Sequence, residues 1–101
     1  EKQYLIDPHT AVAFHVLEGY RARTGDDTPT VVVSTASPFK FPRDVLAALG
    51  ETAPESDFAA MAALTAKTGA AAPASLRELD KLPVRFNTVI EPAEIRAAAL
   101  R

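Results

Sequence analysis

The sequence predicts an α/β segment, mostly helical, in which one buried strand at about 30–35 is flanked by helices. It also predicts that this segment is an incomplete part of a larger α/β domain. Three observations carry the expectation. Val31-Val32-Val33 is an unbroken β-branched run without polar alternation, the pattern of a strand covered on both faces. Alanine is concentrated in 58–74 and 97–99, which favours helix. No second segment is comparable with the valine run, yet a doubly buried strand needs hydrogen-bonding neighbours on both sides.

Each element has a local reason. Tyr4-Leu5-Ile6 reads as a short edge strand or as a lead-in to the first helix. Asp7 is placed to cap that helix, with Pro8 at the first helical position, where a missing N–H costs nothing. The helix runs to about Arg23. Ala13, Val16, Leu17 and Tyr20 form its apolar stripe with Val12 beside it, while Glu18, Arg21 and Arg23 face water. Gly25 terminates it, and Asp26-Asp27-Thr28-Pro29 is a polar connection to the strand. Pro42 opens a second helix with Val45, Leu46 and Leu49 on its apolar side, and Gly50 closes it. Ser56 caps a third through about Lys67, with Phe58, Met61, Ala62 and Leu64 available for packing. Thr68 to Pro73 is a loose linker. A short helix near Ser75 to Leu82 is stopped by Pro83. Val84 to Ile90 is weakly extended, and Pro92 opens a last helix that runs to the C-terminus, with Glu94 near its positive end.

Composition narrows the function classes. At 101 residues the chain has the size of one small domain, and 48% hydrophobic content excludes disorder. The net charge is −2 and no Lys/Arg cluster exists, so the footprint of a nucleic-acid binder is missing. There is no cysteine, which removes disulfides and thiolate metal sites and permits a reducing cytoplasm. No apolar run approaches the roughly 20 residues that span a membrane, and Glu1-Lys2-Gln3-Tyr4 does not begin a signal peptide. The expectation is a cytoplasmic protein without membrane or nucleic-acid partners.

The candidate chemistry lies in two places. Asp7-Pro8-His9-Thr10 is a helix start whose bland reading is a cap and whose functional reading is an approach to a polar ligand. Ser34, Thr35 and Ser37 put hydroxyls at the C-terminal end of the valine run, where α/β proteins hold ligands. Lys40 sits between Phe39 and Phe41 and reads as a snorkelling lysine. His9 and His15 are six apart, about 600° around a helix, so they do not form a metal pair. No P-loop, dinucleotide fingerprint or nucleophile-elbow serine is present.

Taken in order, Asp7-Pro8-His9-Thr10-Ala11-Val12-Ala13 and Val31-Val32-Val33-Ser34-Thr35-Ala36-Ser37-Pro38-Phe39-Lys40-Phe41 resemble the C-terminal end of the threonine synthase family. The family typically has D-P-H-T-A and then a strand ending in S/A-T-A-x-P-x-K-F. This chain has Ser37 where many members carry His. The resemblance covers essentially the whole chain but only the last fifth or quarter of a full-length enzyme, and 51–81 matches by composition alone.

The resemblance implies part of a fold-type II enzyme dependent on pyridoxal 5′-phosphate, a phospho-lyase of threonine biosynthesis. Such an enzyme converts O-phospho-L-homoserine and water to L-threonine and phosphate. It implies that residues 1–50 form the cofactor-side α/β part with both motifs, and 51–101 a C-terminal helical extension. By motif, Thr35 faces the pyridine nitrogen, and Ser34, Asp7, His9, Thr10 and Lys40 accompany it as cofactor-binding residues. No catalytic residue and no metal ligand is expected in the chain. None of Lys2, Lys40, Lys67 and Lys81 has the family's Schiff-base context, so that lysine is expected upstream and the fragment alone inactive. The implied partners are the substrate and the missing N-terminal part of the enzyme. The competing reading is a stand-alone, non-catalytic helical interaction module that pairs through Val31–Val33 by β-augmentation. Self-association of the fragment is compatible with both readings.

Overall fold

In a computed structural model of the chain, residues 4–100 are described. The chain start at Glu1-Lys2-Gln3 and the expected run of the last helix to Arg101 lie outside them. The described residues form five α-helices: α1 (Pro8–Thr24), α2 (Pro42–Ala48), α3 (Asp57–Thr68), α4 (Ala74–Arg77) and α5 (Ile95–Ala99). Single 3₁₀ turns occupy Pro38–Lys40, Leu79–Lys81 and Pro92–Glu94.

The helix ends follow the chemistry of their caps. The Asp7 side chain accepts from the backbone N–H groups of His9 and Thr10, and Pro8 opens α1. Gly25 ends α1 at φ 70°, a left-handed conformation that costs glycine nothing, and its N–H reaches Arg21 O at 2.8 Å. Ser56 caps α3 through Ala59 N, and Gly69 ends it at φ 72°. The Ser75–Leu82 expectation resolves into α4 and the 3₁₀ turn, ending before Pro83. At Pro92 a 3₁₀ turn precedes α5, and the Glu91 N–H donates to the Glu94 carboxylate at 3.0 Å.

The core lies between α2 and α3. Leu46, Ala60 and Leu64 are fully enclosed, with Phe39, Val45, Met61 and Ala72 around them. Leu5 packs against this cluster from the segment that precedes α1. Lys67 Nζ meets Glu51 Oε1 at 2.5 Å on the exposed side. Ser37 accepts from Phe39 N at the start of the 3₁₀ turn and so turns Phe39 into the core.

The valine run corrects the expected fold class. Among the described residues there is no β-strand, and the buried strand at 30–35 is not formed. Val31 is 87% exposed and Val33 71% exposed. The physical reason is the one that made the run conspicuous: a strand is held by ladder hydrogen bonds to a neighbour, and no described segment supplies one. The described chain is therefore helical rather than α/β. Neither Tyr4-Leu5-Ile6 nor Val84–Ile90 is a strand. The apolar stripe of α1 is likewise uncovered, since the one buried residue of the helix is Thr10 and none of Ala13, Val16, Leu17 and Tyr20 is buried. Ala13, Val16, Leu17 and Tyr20 face Thr30 to Val33 across an open groove, and Arg21 holds the connection by donating to Thr28 O at 3.1 Å.

Beyond Leu82 the chain leaves the core, and Val84, Phe86 and Val89 are each at least three-quarters exposed. The Cα radius of gyration is 18.1 Å, against about 13 Å for a compact domain of 100 residues. No helix is long and apolar enough to cross a membrane, among the described residues.

Candidate functional site

The two motifs meet through side chains at the start of α1. Asp7 is fully buried and its carboxylate gathers four donors. Oδ1 accepts from His9 N at 3.0 Å, His9 Nδ1 at 3.0 Å and Thr10 N at 3.4 Å. Oδ2 accepts from the Thr10 hydroxyl. Pro8 makes this convergence local: it fixes the first helical residue, so that the next two N–H groups turn back toward the Asp7 side chain.

Four donors on one carboxylate favour its charged form. The Thr10 hydroxyl is the largest influence on Asp7. Burial opposes it, and the His9 ring and the His9 and Thr10 backbone N–H groups add to it. The pKa falls from 3.8 to about 2.

Thr10 links this cluster to the second motif. Its Oγ1 lies 3.2 Å from Ser34 Oγ, across 24 residues of sequence. A threonine hydroxyl has one hydrogen. That hydrogen goes to the carboxylate, so the Ser34 hydroxyl donates to Thr10, and the Ser34 oxygen keeps both of its lone pairs free to accept. A second link is aromatic. The His9 ring meets the edge of Phe41 with centroids 5.1 Å apart and planes at 61°.

Of the six residues singled out by sequence, Asp7, His9, Thr10 and Ser34 are brought together. Thr35 is exposed beside Ser34 and takes no hydrogen bond among the described residues. Lys40 is exposed and lines a separate groove with Arg43, Asp44 and Asp57, without a hydrogen bond to the Asp7 cluster. Phe41 is the residue that sequence reasoning passed over as a site member. Its signal was its place at the end of the second motif, but its contact with His9 depends on how the chain returns to α1. His15, exposed on α1, takes no part. Among the described residues no group of three or more histidine or acidic side chains is placed to hold a metal ion.

The cluster can therefore present hydroxyl and imidazole groups, oriented by one buried anion, to a polar edge of a ligand. It has no nucleophile with a matched base, which sets it apart from a self-sufficient hydrolytic site.

Comparison with known proteins agrees with the motif reading. A family model described as threonine synthase, C-terminal, matches residues 10–98. A threonine synthase of Corynebacterium glutamicum is 45% identical over 47 residues, which is 46% of this chain and 9% of that relative. The match thus spans less than a tenth of the curated relative's length. No solved structure matches the chain.

Proposed function

The chain belongs to the threonine synthase C-terminal family, and from that premise we propose that it is the C-terminal part of a pyridoxal-phosphate-dependent enzyme of threonine biosynthesis. The reaction proposed is conversion of O-phospho-L-homoserine and water to L-threonine and phosphate in the cytoplasm. The observation that carries the reading is the joining of Thr10 to Ser34, which brings the two family-like motifs into one polar cluster.

The residues suit one end of the cofactor. A pyridine ring nitrogen needs a single polar partner, and the hydroxyls of Ser34 and Thr35 stand exposed at the end of the second motif. By motif Thr35 is the proposed partner of that nitrogen, with Ser34, Asp7, His9 and Thr10 supporting it and Lys40 steadying the turn that follows. Nothing among the described residues corresponds to a phosphate cradle or a Schiff-base lysine context, which are proposed to lie in the remainder of the enzyme. Residues 1–50 are proposed as the cofactor-side part and 51–101 as a helical extension.

When bound, pyridoxal phosphate supplies an electron sink for the amino-acid substrate, and a neutral hydroxyl at its nitrogen keeps that sink moderate. The work of this chain is positioning. The buried Asp7 carboxylate fixes the Thr10 hydroxyl, Thr10 fixes Ser34, and the backbone from Ser34 to Ser37 sets where the Thr35 hydroxyl stands. Because Asp7 is enclosed and saturated with donors, it orients its neighbours without itself taking up a proton near neutrality.

The test is Thr35→Val in the full-length enzyme, which keeps the side-chain shape and removes the hydroxyl. Turnover is expected to fall by about tenfold or more with the fold intact, the loss of one hydrogen bond of roughly 1.5 kcal/mol or more. Kinetics identical to wild type would remove Thr35 from the site.

A further inference from the structure

Asp7 does more than cap a helix. An ionised carboxylate accepts hydrogen bonds and has none to give. In the 3.0 Å contact between His9 Nδ1 and Asp7 Oδ1 the hydrogen therefore sits on Nδ1. A neutral imidazole carries one N–H, so Nε2 is left with the lone pair. The ring is gripped a second time from a different part of the chain, by the edge of Phe41 at 5.1 Å. The His9 side chain is nonetheless 68% exposed, so an imidazole held at two points remains open on its other side. Asp7, by contrast, is entirely enclosed. A buried carboxylate behind an accessible, oriented imidazole is the arrangement that fixes a histidine tautomer for acid–base or hydrogen-bonding work.

We propose that Asp7 is a positioning residue that holds His9 in its Nδ1–H form, so that Nε2 is the atom this imidazole offers to a ligand as a hydrogen-bond acceptor. The inference rests on the functional reading above and deepens it. It assigns the class of group that His9 meets: a hydrogen donor, such as a protonated amine, a hydroxyl or a water molecule. A fully ionised phosphate oxygen is excluded as the partner of the neutral ring, because lone pair would face lone pair. The Thr10–Ser34 relay has the same polarity, with its hydrogens directed toward Asp7 and the lone pairs of its terminal oxygen left to accept. One buried anion thus sets both arms of the cluster to accept.

The chain carries its own reference for the experiment, since its two histidines are His9 and His15 and, among the described residues, only the first touches a carboxylate. Long-range nitrogen–proton NMR of the imidazoles, at a pH where both rings are neutral, reads the tautomer of each in the same sample. His9 is expected to give a protonated-type signal at Nδ1 and a bare-type signal at Nε2, while His15 gives the averaged pattern of an unrestrained ring. Asp7→Ser keeps a capping oxygen for the backbone N–H groups but is too short to hold the ring. In that variant the His9 signals are expected to shift to the His15 pattern while the helical circular dichroism signal stays.

A wild-type His9 that already matches His15 would overturn the positioning role, whatever any variant does. So would an Asp7→Ser variant in which the Nδ1–H form persists, or in which it is lost only in step with helix content. These readouts are blind to turnover. Failure here removes the role of Asp7 and leaves the proposed enzyme standing, whereas unchanged kinetics in Thr35→Val does the reverse.

Discussion

Replacing Thr10 with valine removes one hydroxyl from a buried position and leaves the branched shape in place, so the change reports on that hydroxyl's links to Asp7 and Ser34. In the wild-type chain the Thr10 hydroxyl is the largest of the influences that lower the Asp7 pKa, and burial works against it. Taking the hydroxyl away leaves the His9 ring and two backbone N–H groups to oppose burial, and Asp7 is expected to return to the neighbourhood of its ordinary 3.8. At pH 3 a carboxyl with a pKa of about 2 is about 90% ionised, and one near 3.8 about 15%.

The consequence for stability follows in sign. A depressed folded-state pKa means that the capped start of α1 is fully stabilised above pH 3.8 and loses that stabilisation as pH falls through about 2. In Thr10→Val the folded and unfolded values converge, so this pH-dependent stabilisation shrinks toward nothing. Carbon-detected NMR of the side-chain carboxyls from pH 1.5 to 6 gives the titration of Asp7, and circular dichroism over the same range follows α1. Identical Asp7 titrations in the two proteins would refute the account of Thr10 as its main partner. An ordinary midpoint in the wild-type chain would refute the cluster itself.

Two further outcomes follow from other parts of the molecule. Leu64→Ala is expected to cost about 2–5 kcal/mol in urea unfolding, because Leu64 is fully enclosed in a core of few residues between α2 and α3; a loss under about 1 kcal/mol would mean that this core is not closed around Leu64 in solution. Mixed with pyridoxal phosphate, the 101-residue chain is expected to form no stoichiometric adduct at one lysine; a near-visible absorbance made permanent by borohydride at a single site would show that the chain holds the cofactor unaided.

Much of the helical structure was legible in the sequence, because helix ends are decided within a few residues. Asp7-Pro8 and Gly25 bound α1, Ser56 and Gly69 bound α3, and Pro92 opens the last helical stretch, each through hydrogen bonds or backbone freedom that neighbours in sequence supply. The Asp7–His9–Thr10 half of the candidate site was legible for the same reason, since its contacts span two or three residues. The valine run was not. Its composition suits a strand, but a strand exists only through a partner, and among the described residues Val31 and Val33 stay exposed. The sequence by itself therefore determined the ends of α1 and α3, the two motifs and the family to which they point. Tertiary structure alone decided that Thr10 reaches Ser34, that Phe41 closes on His9, and that the Val31–Val33 run forms no sheet. Those outcomes rest on groups far apart in the chain, whose meeting no local pattern encodes.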